Sequence, residues 1–161
     1  MRVNIEDDEH IVASLPKVWG NELGFMGFFN KSKEGVLVLT NKKIIFVPEW
    51  VFVTPRDRDT KYFTDDEAKV TTIDGYSESQ LDEDISNHSN SLIVHLESVV
   101  NVDSVKVRKV NFLRIKFRSD GKMKTYDFGI AKSVTNYPIR QPLLFYSLNW
   151  SAWVRLIRAY L

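Results

Sequence analysis

Residues 35–47 constrain the fold of this 161-residue chain more than any other stretch. They read Gly35-Val36-Leu37-Val38-Leu39, then Thr40-Asn41-Lys42-Lys43, then Ile44-Ile45-Phe46-Val47. Two apolar runs joined by a polar tetrad are the pattern of a β-hairpin. Asn41 is expected to take the left-handed backbone that a tight turn demands, between solvated lysines. Neither arm alternates apolar with polar, so both faces of the hairpin have to be covered by something.

A second hairpin follows from Asp120-Gly121, a dipeptide suited to a two-residue turn with positive φ at both positions. With Ser119 opposite Lys122, one face pairs Arg118 with Met123, Lys116 with Thr125 and Arg114 with Asp127. The other face pairs Ile115 with Tyr126 and Leu113 with Phe128. A slip of one residue would send that apolar set to water, so Phe112 to Arg118 and Met123 to Ile130 predict one core face and one solvated, basic face. Lys106 and Arg108, in a weaker strand near Val105 to Arg108, alternate in the same way and are expected to add to a basic sheet face. A solvated outer face, partly neutralised by Asp127, accounts for the same pattern.

Elsewhere the chain is a series of short β-type runs, without internal repeats. The first strand is expected over about Glu9 to Leu15, stopped by Pro16. Phe25-Met26-Gly27-Phe28-Phe29 is strongly apolar and precedes Lys31 and Lys33, and Pro48 should bend the chain before Trp50-Val51-Phe52-Val53. Eleven acidic residues and few large apolar ones lie between Glu49 and Asp84. They predict an inserted acidic loop at about 54–90, with one short strand near Lys69 to Ile73. Order is expected to resume over Ser91 to Glu97. At the C-terminus Trp150, Trp153, Val154, Ile157 and Leu161 form one helical stripe, with Asn149 as N-cap and Arg158 in the last turn. The expectation is one domain over 1–161, mainly β and closed by that helix.

The run from Gly35 to Phe46 resembles the second and third strands of GRAM and related PH-like domains: a glycine, an apolar strand, Thr-Asn with two basic residues, then Ile-Ile-Phe. His95 to Val102 resembles the next strand of that family, and Leu113 to Phe117 with Tyr126 to Ile130 resembles its late hairpin. Trp153 stands where the closing helix often carries a tryptophan. The resemblance implies a seven-stranded, strongly bent β-barrel or orthogonal sandwich capped by a C-terminal α-helix. It also implies a role as a phosphoinositide reader, a docking site for peptides or proteins, or a platform in larger complexes. In headgroup-binding members the ligand sits among the loops after the first, third and sixth strands. Here those loops offer Lys31 and Lys33, then Arg56, Arg58 and Lys61, then Lys122 with Arg118 and Lys124 beside it. The basic-x-Arg pair that such members carry in the second strand is missing, because Val36-Leu37-Val38 stands there and cannot hold a phosphate. Residues 54–90 have no counterpart in the family.

Composition narrows the chemistry. Hydrophobic residues make up 43% and charged residues 27%, ordinary globular usage. The absence of cysteine removes disulfides, thiolate metal sites and cysteine nucleophiles, and fits a reducing compartment. The acidic N-terminal residues and the lack of any apolar run near ~18 residues predict a cytoplasmic protein. Net charge is only +1, but residues 49–90 hold 4 Lys and Arg against 11 Asp and Glu, and residues 91–161 hold 12 against 4. The basic half suits an anionic partner.

No catalytic motif stands out. Asp127-Phe128-Gly129 spells the metal-binding triplet of protein kinases, but the chain is too short for that fold and has no Gly-rich phosphate loop. His10, His88 and His95 lack metal-ligand spacing. Asp65-Asp66-Glu67 and Asp82-Glu83-Asp84 lack the calcium-loop pattern and are expected to be solvated. The leading expectation is a non-enzymatic PH-like adaptor without cofactors that docks a peptide or protein partner, with a homo-oligomer through the apolar sheet left open. The alternative is peripheral binding to anionic lipid headgroups through Lys31, Lys33, Arg56, Arg58, Arg118, Lys122 and Lys124. In that alternative Phe25, Met26, Phe28 and Phe29 form an apolar tip, although the same residues fit a barrel core or a subunit contact. Strand 112–118 has no aromatic stacking platform beside its charge, which argues against nucleic acid.

Overall fold

Both expected hairpins are present in the computed structural model, which describes residues 2–24, 33–49, 56–136 and 140–161, with the backbone alone for 56–58. Among the described residues the strands are β1 (Ile11–Glu22), β2 (Lys33–Thr40), β3 (Lys43–Pro48), β4 (Leu92–His95), β5 (Val99–Val107), β6 (Val110–Ser119), β7 (Lys122–Thr135) and β8 (Gln141–Phe145). The helices are α1 (Glu78–Asn87) and α2 (Ser151–Ala159). The sheet runs β4-β3-β2-β1-β7-β6-β5, seven antiparallel strands, with β8 added to the far end of β7. Phe25, Met26, Phe28, Phe29, Lys31 and Trp50 to Val53 lie outside the described residues.

Phe46 on β3 and Phe128 on β7 are three strands apart, which in a flat sheet would separate them by about 14 Å. Their ring centroids are 5.3 Å apart, so the sheet curls back on itself around β1 and buries one face as core. Gly20 lets the rings meet, because a Cβ at that position would lie 3.0 Å from an atom of each. The curl coincides with a bulge. Leu15 faces Leu37 and Val18 faces Gly35, which leaves one extra residue in β1 and puts Lys17 at φ 61°. Pro16 lies in this bulge and does not stop the strand. A bulge is where a missing N–H breaks no ladder bond, so β1 continues to Glu22.

In the first hairpin Leu39 faces Ile44 and Val38 faces Ile45, around Asn41-Lys42. Asn41 is not left-handed. Non-glycine residues with positive φ among those described are Lys17, Glu49, Arg108, Lys109 and Asp120. The turn is held by the Thr40 hydroxyl, which accepts from the N–H of Lys42 at 3.1 Å and of Lys43 at 2.9 Å. The Asn41 side-chain Oδ1 accepts from the N–H of His10 at 2.9 Å. The second hairpin has the expected register throughout, from Ser119 opposite Lys122 to Leu113 opposite Phe128, with Asp120 at φ 51° and Gly121 at φ 75°.

The first hairpin is indeed covered on both faces, and residues 56–90 provide much of the outer cover. Leu37, Leu39, Ile44 and Phe46 face inward, while Val36, Val38, Ile45 and Val47 face outward and are equally buried. Ser14, on the outward side opposite Val38, accepts from the N–H of Ile73 at 2.8 Å. Lys43, also outward, donates to the Asn4 carbonyl at 2.9 Å. The N-terminal segment that contains Asn4 is in turn tied to α1. Within the segment expected as an inserted acidic loop, the described residues 56–90 therefore pack against the sheet and contribute Tyr62, Ala68, Ile73, Leu81 and Ile85 to the core. Residues 69–73 form no strand; nearby lie isolated bridges pairing Phe63 with Ala68 and Glu67 with Asn149. This cover also removes the reason for a homo-oligomer through the apolar sheet, since those side chains are already buried within one chain.

The strand expected over Ser91 to Glu97 ends at His95, and a 3-10 turn (Leu96–Ser98) leads into β5, which starts earlier than the expected Val105. Trp150, the N-cap of α2, and Trp153 within it are fully buried, and their indole N–H groups donate to the carbonyls of Asn111 at 3.2 Å and Lys69 at 2.9 Å. Asn149 accepts from the N–H of Ser151 at 2.9 Å, one position before the N-cap residue Trp150. Leu161 is exposed, since the helix ends at Ala159 before the stripe reaches it.

Candidate docking surface

β5, β6 and β7 turn one face inward and leave the other to solvent. Register sets the outward rows: Asn101, Lys116 and Thr125; then Asp103, Arg114 and Asp127; then Val105 and Phe112. Arg118 and Met123 lie beyond the first row, toward the β6–β7 turn. Val105 thus lies on the same side as Arg114, and Lys106 points to the opposite side, away from the basic face it was expected to join. Arg108 falls in the β5–β6 turn at φ 50°. That turn, Arg108-Lys109, carries neither glycine nor asparagine, which is why the sequence does not announce it.

Arg114 and Asp127 form a two-bond pair, at 2.8 Å from Nε and 2.9 Å from Nη2. Donation to the Asp127 carboxylate holds the guanidinium above its ordinary pKa, although its partial burial works the other way. This cation is already neutralised. Lys116 and Arg118 are exposed and, among the described residues, have no carboxylate within 4.0 Å. Beside them a cleft of about 540 Å³ is lined by Leu23, Asn101, Asp103, Lys116, Met123 and Thr125, among others. Met123 is 46% exposed. The surface therefore offers two free cations, hydrogen-bonding Asn and Thr side chains, and an apolar wall.

Lys122 and Lys124 belong to the same hairpin but face the other way, opposite Ser119 and Phe117. The structure thus brings Arg118, Lys122 and Lys124 together at the turn end of one hairpin. Lys33 is not with them. It pairs with Glu49 at 3.3 Å and is level with Phe128 across Gly20, about 20 Å down the strand from Lys122 at ~3.3 Å per residue. The backbone of Arg56 and Arg58 lies in a 3-10 turn (Arg56–Lys61) fastened to the β1 bulge by Lys17 and Asp59 at 2.8 Å. Lys61 pairs with Asp74. A second cleft, of about 570 Å³, opens beside that turn. Its Lys17 is engaged by Asp59, and its Arg140 is engaged by Glu34 at 2.9 Å and lies over the Trp19 ring.

The Thr-Asn-Lys-Lys motif has a structural role. Lys43 and Glu9 are 3.0 Å apart, with side chains 8% and 0% exposed, and Glu9 also accepts from the Thr40 hydroxyl and the N–H of Glu6. Burial alone would raise the Glu9 carboxyl, but these hydrogen bonds and the nearby ammonium hold it below the usual range. Asp82 is buried as well, and accepts from the N–H groups of Val3 at 3.0 Å, Asn4 at 2.5 Å and Ile5 at 2.9 Å. Desolvation again works upward, and the three amides outweigh it. Asp84 is buried beside Tyr76, whose hydroxyl donates to it at 2.8 Å. Of the acidic triplet expected to be solvated, only Glu83 is exposed.

These features define a mainly β protein: a curled seven-stranded antiparallel sheet with a C-terminal helix, in which no described helix is long and apolar enough to cross a membrane. No protein-family model matches the chain, and no curated protein matches it. Among solved structures it is similar to one described as the Vps36 N-terminal PH domain, with 12% identity, a TM-score of 0.48, and coverage of 97% of this chain and 81% of that one.

Proposed function

We propose that this chain is a non-enzymatic docking module that holds an acidic segment of a partner protein on the outward face of β5, β6 and β7. The observation that carries the reading is the pair of free cations, Lys116 and Arg118, beside a cleft with an exposed apolar wall at Met123. Cations left without internal partners steer an anionic partner and select its register, while the apolar wall adds contact area. Fluorescence anisotropy with a labelled acidic peptide tests it. Binding that weakens with salt, and is lost in Lys116→Glu with Arg118→Glu at an unchanged unfolding midpoint, is the expected result. Undiminished binding by that variant would sink the reading.

A second reading is favoured by the tip of the hairpin, where Arg118, Lys122 and Lys124 surround exposed Met123. Such a tip suits an anionic lipid surface, where each cation near the membrane contributes ~1 kcal/mol. Sedimentation with phosphatidylserine-containing vesicles, compared with phosphatidylcholine alone, separates the two. Salt-sensitive pelleting that Met123→Asp abolishes would favour lipid.

A further inference from the structure

We infer that the docking face reads an extended segment by the spacing of its acidic residues: two carboxylates on alternate residues, with no gain from a third. The inference rests on the protein-docking reading and specifies its ligand. Lys116 and Arg118 are two residues apart on one face of β6, hence about 6.6 Å apart along the strand. Alternate side chains of an extended peptide have the same period. Asn101 and Thr125 flank Lys116 on either side, and their side chains can bond the free amides of an extended backbone, which a helix does not expose.

The two cations are bracketed. Toward the turn, β6 ends at Ser119 and the next residue is Asp120, an exposed carboxylate in the turn itself. In the other direction comes Arg114, whose guanidinium is held by Asp127 at 2.8 Å and faces Asp103 across the strand pair. Arg158 lies 3.9 Å from Asp103, so that row is close to neutral. A third acidic side chain therefore meets either a like charge or no net charge, whichever way the segment runs. Adjacent acidic residues would point to opposite sides of the ligand strand, and only one could face β6.

The test uses the full chain and labelled Gly-Ser peptides with two glutamates at adjacent, alternate or i, i+4 positions, and with three at alternate positions. Peptides with alternate spacing are expected to bind about fivefold tighter than those with adjacent spacing, the scale of one exposed ion pair, and the third glutamate to add nothing measurable. Arg118→Ala is expected to erase the preference. Equal binding of the alternate and adjacent peptides, or a clear gain from the third glutamate, would overturn the spacing inference while leaving the docking reading in place. Failure of every acidic peptide to bind a folded chain would overturn both.

Discussion

Lys43 Nζ and Glu9 Oε1 are 3.0 Å apart, in side chains that are 8% and 0% exposed, and the pair joins the first hairpin to the segment that precedes β1. Removing one partner leaves a buried charge alone. Lys43→Met is expected to cost roughly 3 kcal/mol or more, and Lys43→Met combined with Glu9→Gln less than that. Urea denaturation of the single and double variants checks the order.

Asp82 gathers the N–H groups of Val3, Asn4 and Ile5 and ties the N-terminal segment to α1. Asp82 and Glu9 are both held below their ordinary pKa. Each therefore contributes stability that is fully present above the unfolded value near ~4 and is lost as pH falls through the lower folded value. The unfolding midpoint should drop on acidification below about pH 4, less steeply in Asp82→Asn. Amide exchange at Val3 to Ile5 should speed up before the core opens, and a midpoint flat across that range would contradict the account.

Two glycines should differ in a measurable way. A Cβ on Gly35 would run into the backbone carbonyl of Val47, which the β2–β3 pairing holds in place. A Cβ on Gly20 would press on the rings of Phe46 and Phe128 at 3.0 Å, and rings can shift. Gly20→Ala is expected to cost about 1–3 kcal/mol, and Gly35→Ala more, up to loss of the folded state. Thermal melts followed by circular dichroism rank the two.

Asp127 is buried and anchors Arg114 by two hydrogen bonds. Asp127→Asn should lower stability by about 1–3 kcal/mol and free the Arg114 charge. A third alternate glutamate in the peptide series would then strengthen binding where it does nothing for the native chain.

The two hairpins were legible because their information is local. Asp120-Gly121 and the apolar alternation on either side specify the β6–β7 register, and all the expected pairs from Ser119 to Leu113 are found. The candidate docking face was legible only in part. Lys116 and Arg118 could be placed on the solvated face of β6, but Asn101, Asp103 and Val105 join them through a β5 register set at Arg108-Lys109, a turn without a composition signal. Helix α1 was missed because its buried face includes Asp82 and Asp84 beside Leu81 and Ile85. Its apolar stripe is short, and carboxylates read as solvent-facing.

The sequence by itself determined the mainly β architecture, the two hairpins and the C-terminal helix with its buried tryptophans, since periodicity, turn chemistry and capping act over a few residues. It also implied that the first hairpin had to be covered. Only the tertiary structure decided what covers it: an acidic segment and the N-terminal residues, joined by Asp82 across 78 positions to Asn4. It also decided that Lys43 is buried while Lys116 is free. The physical reason is that a charged side chain becomes a buried partner or an available one according to what lies within a few ångströms of it, and neighbours so distant in the chain leave no mark on local pattern.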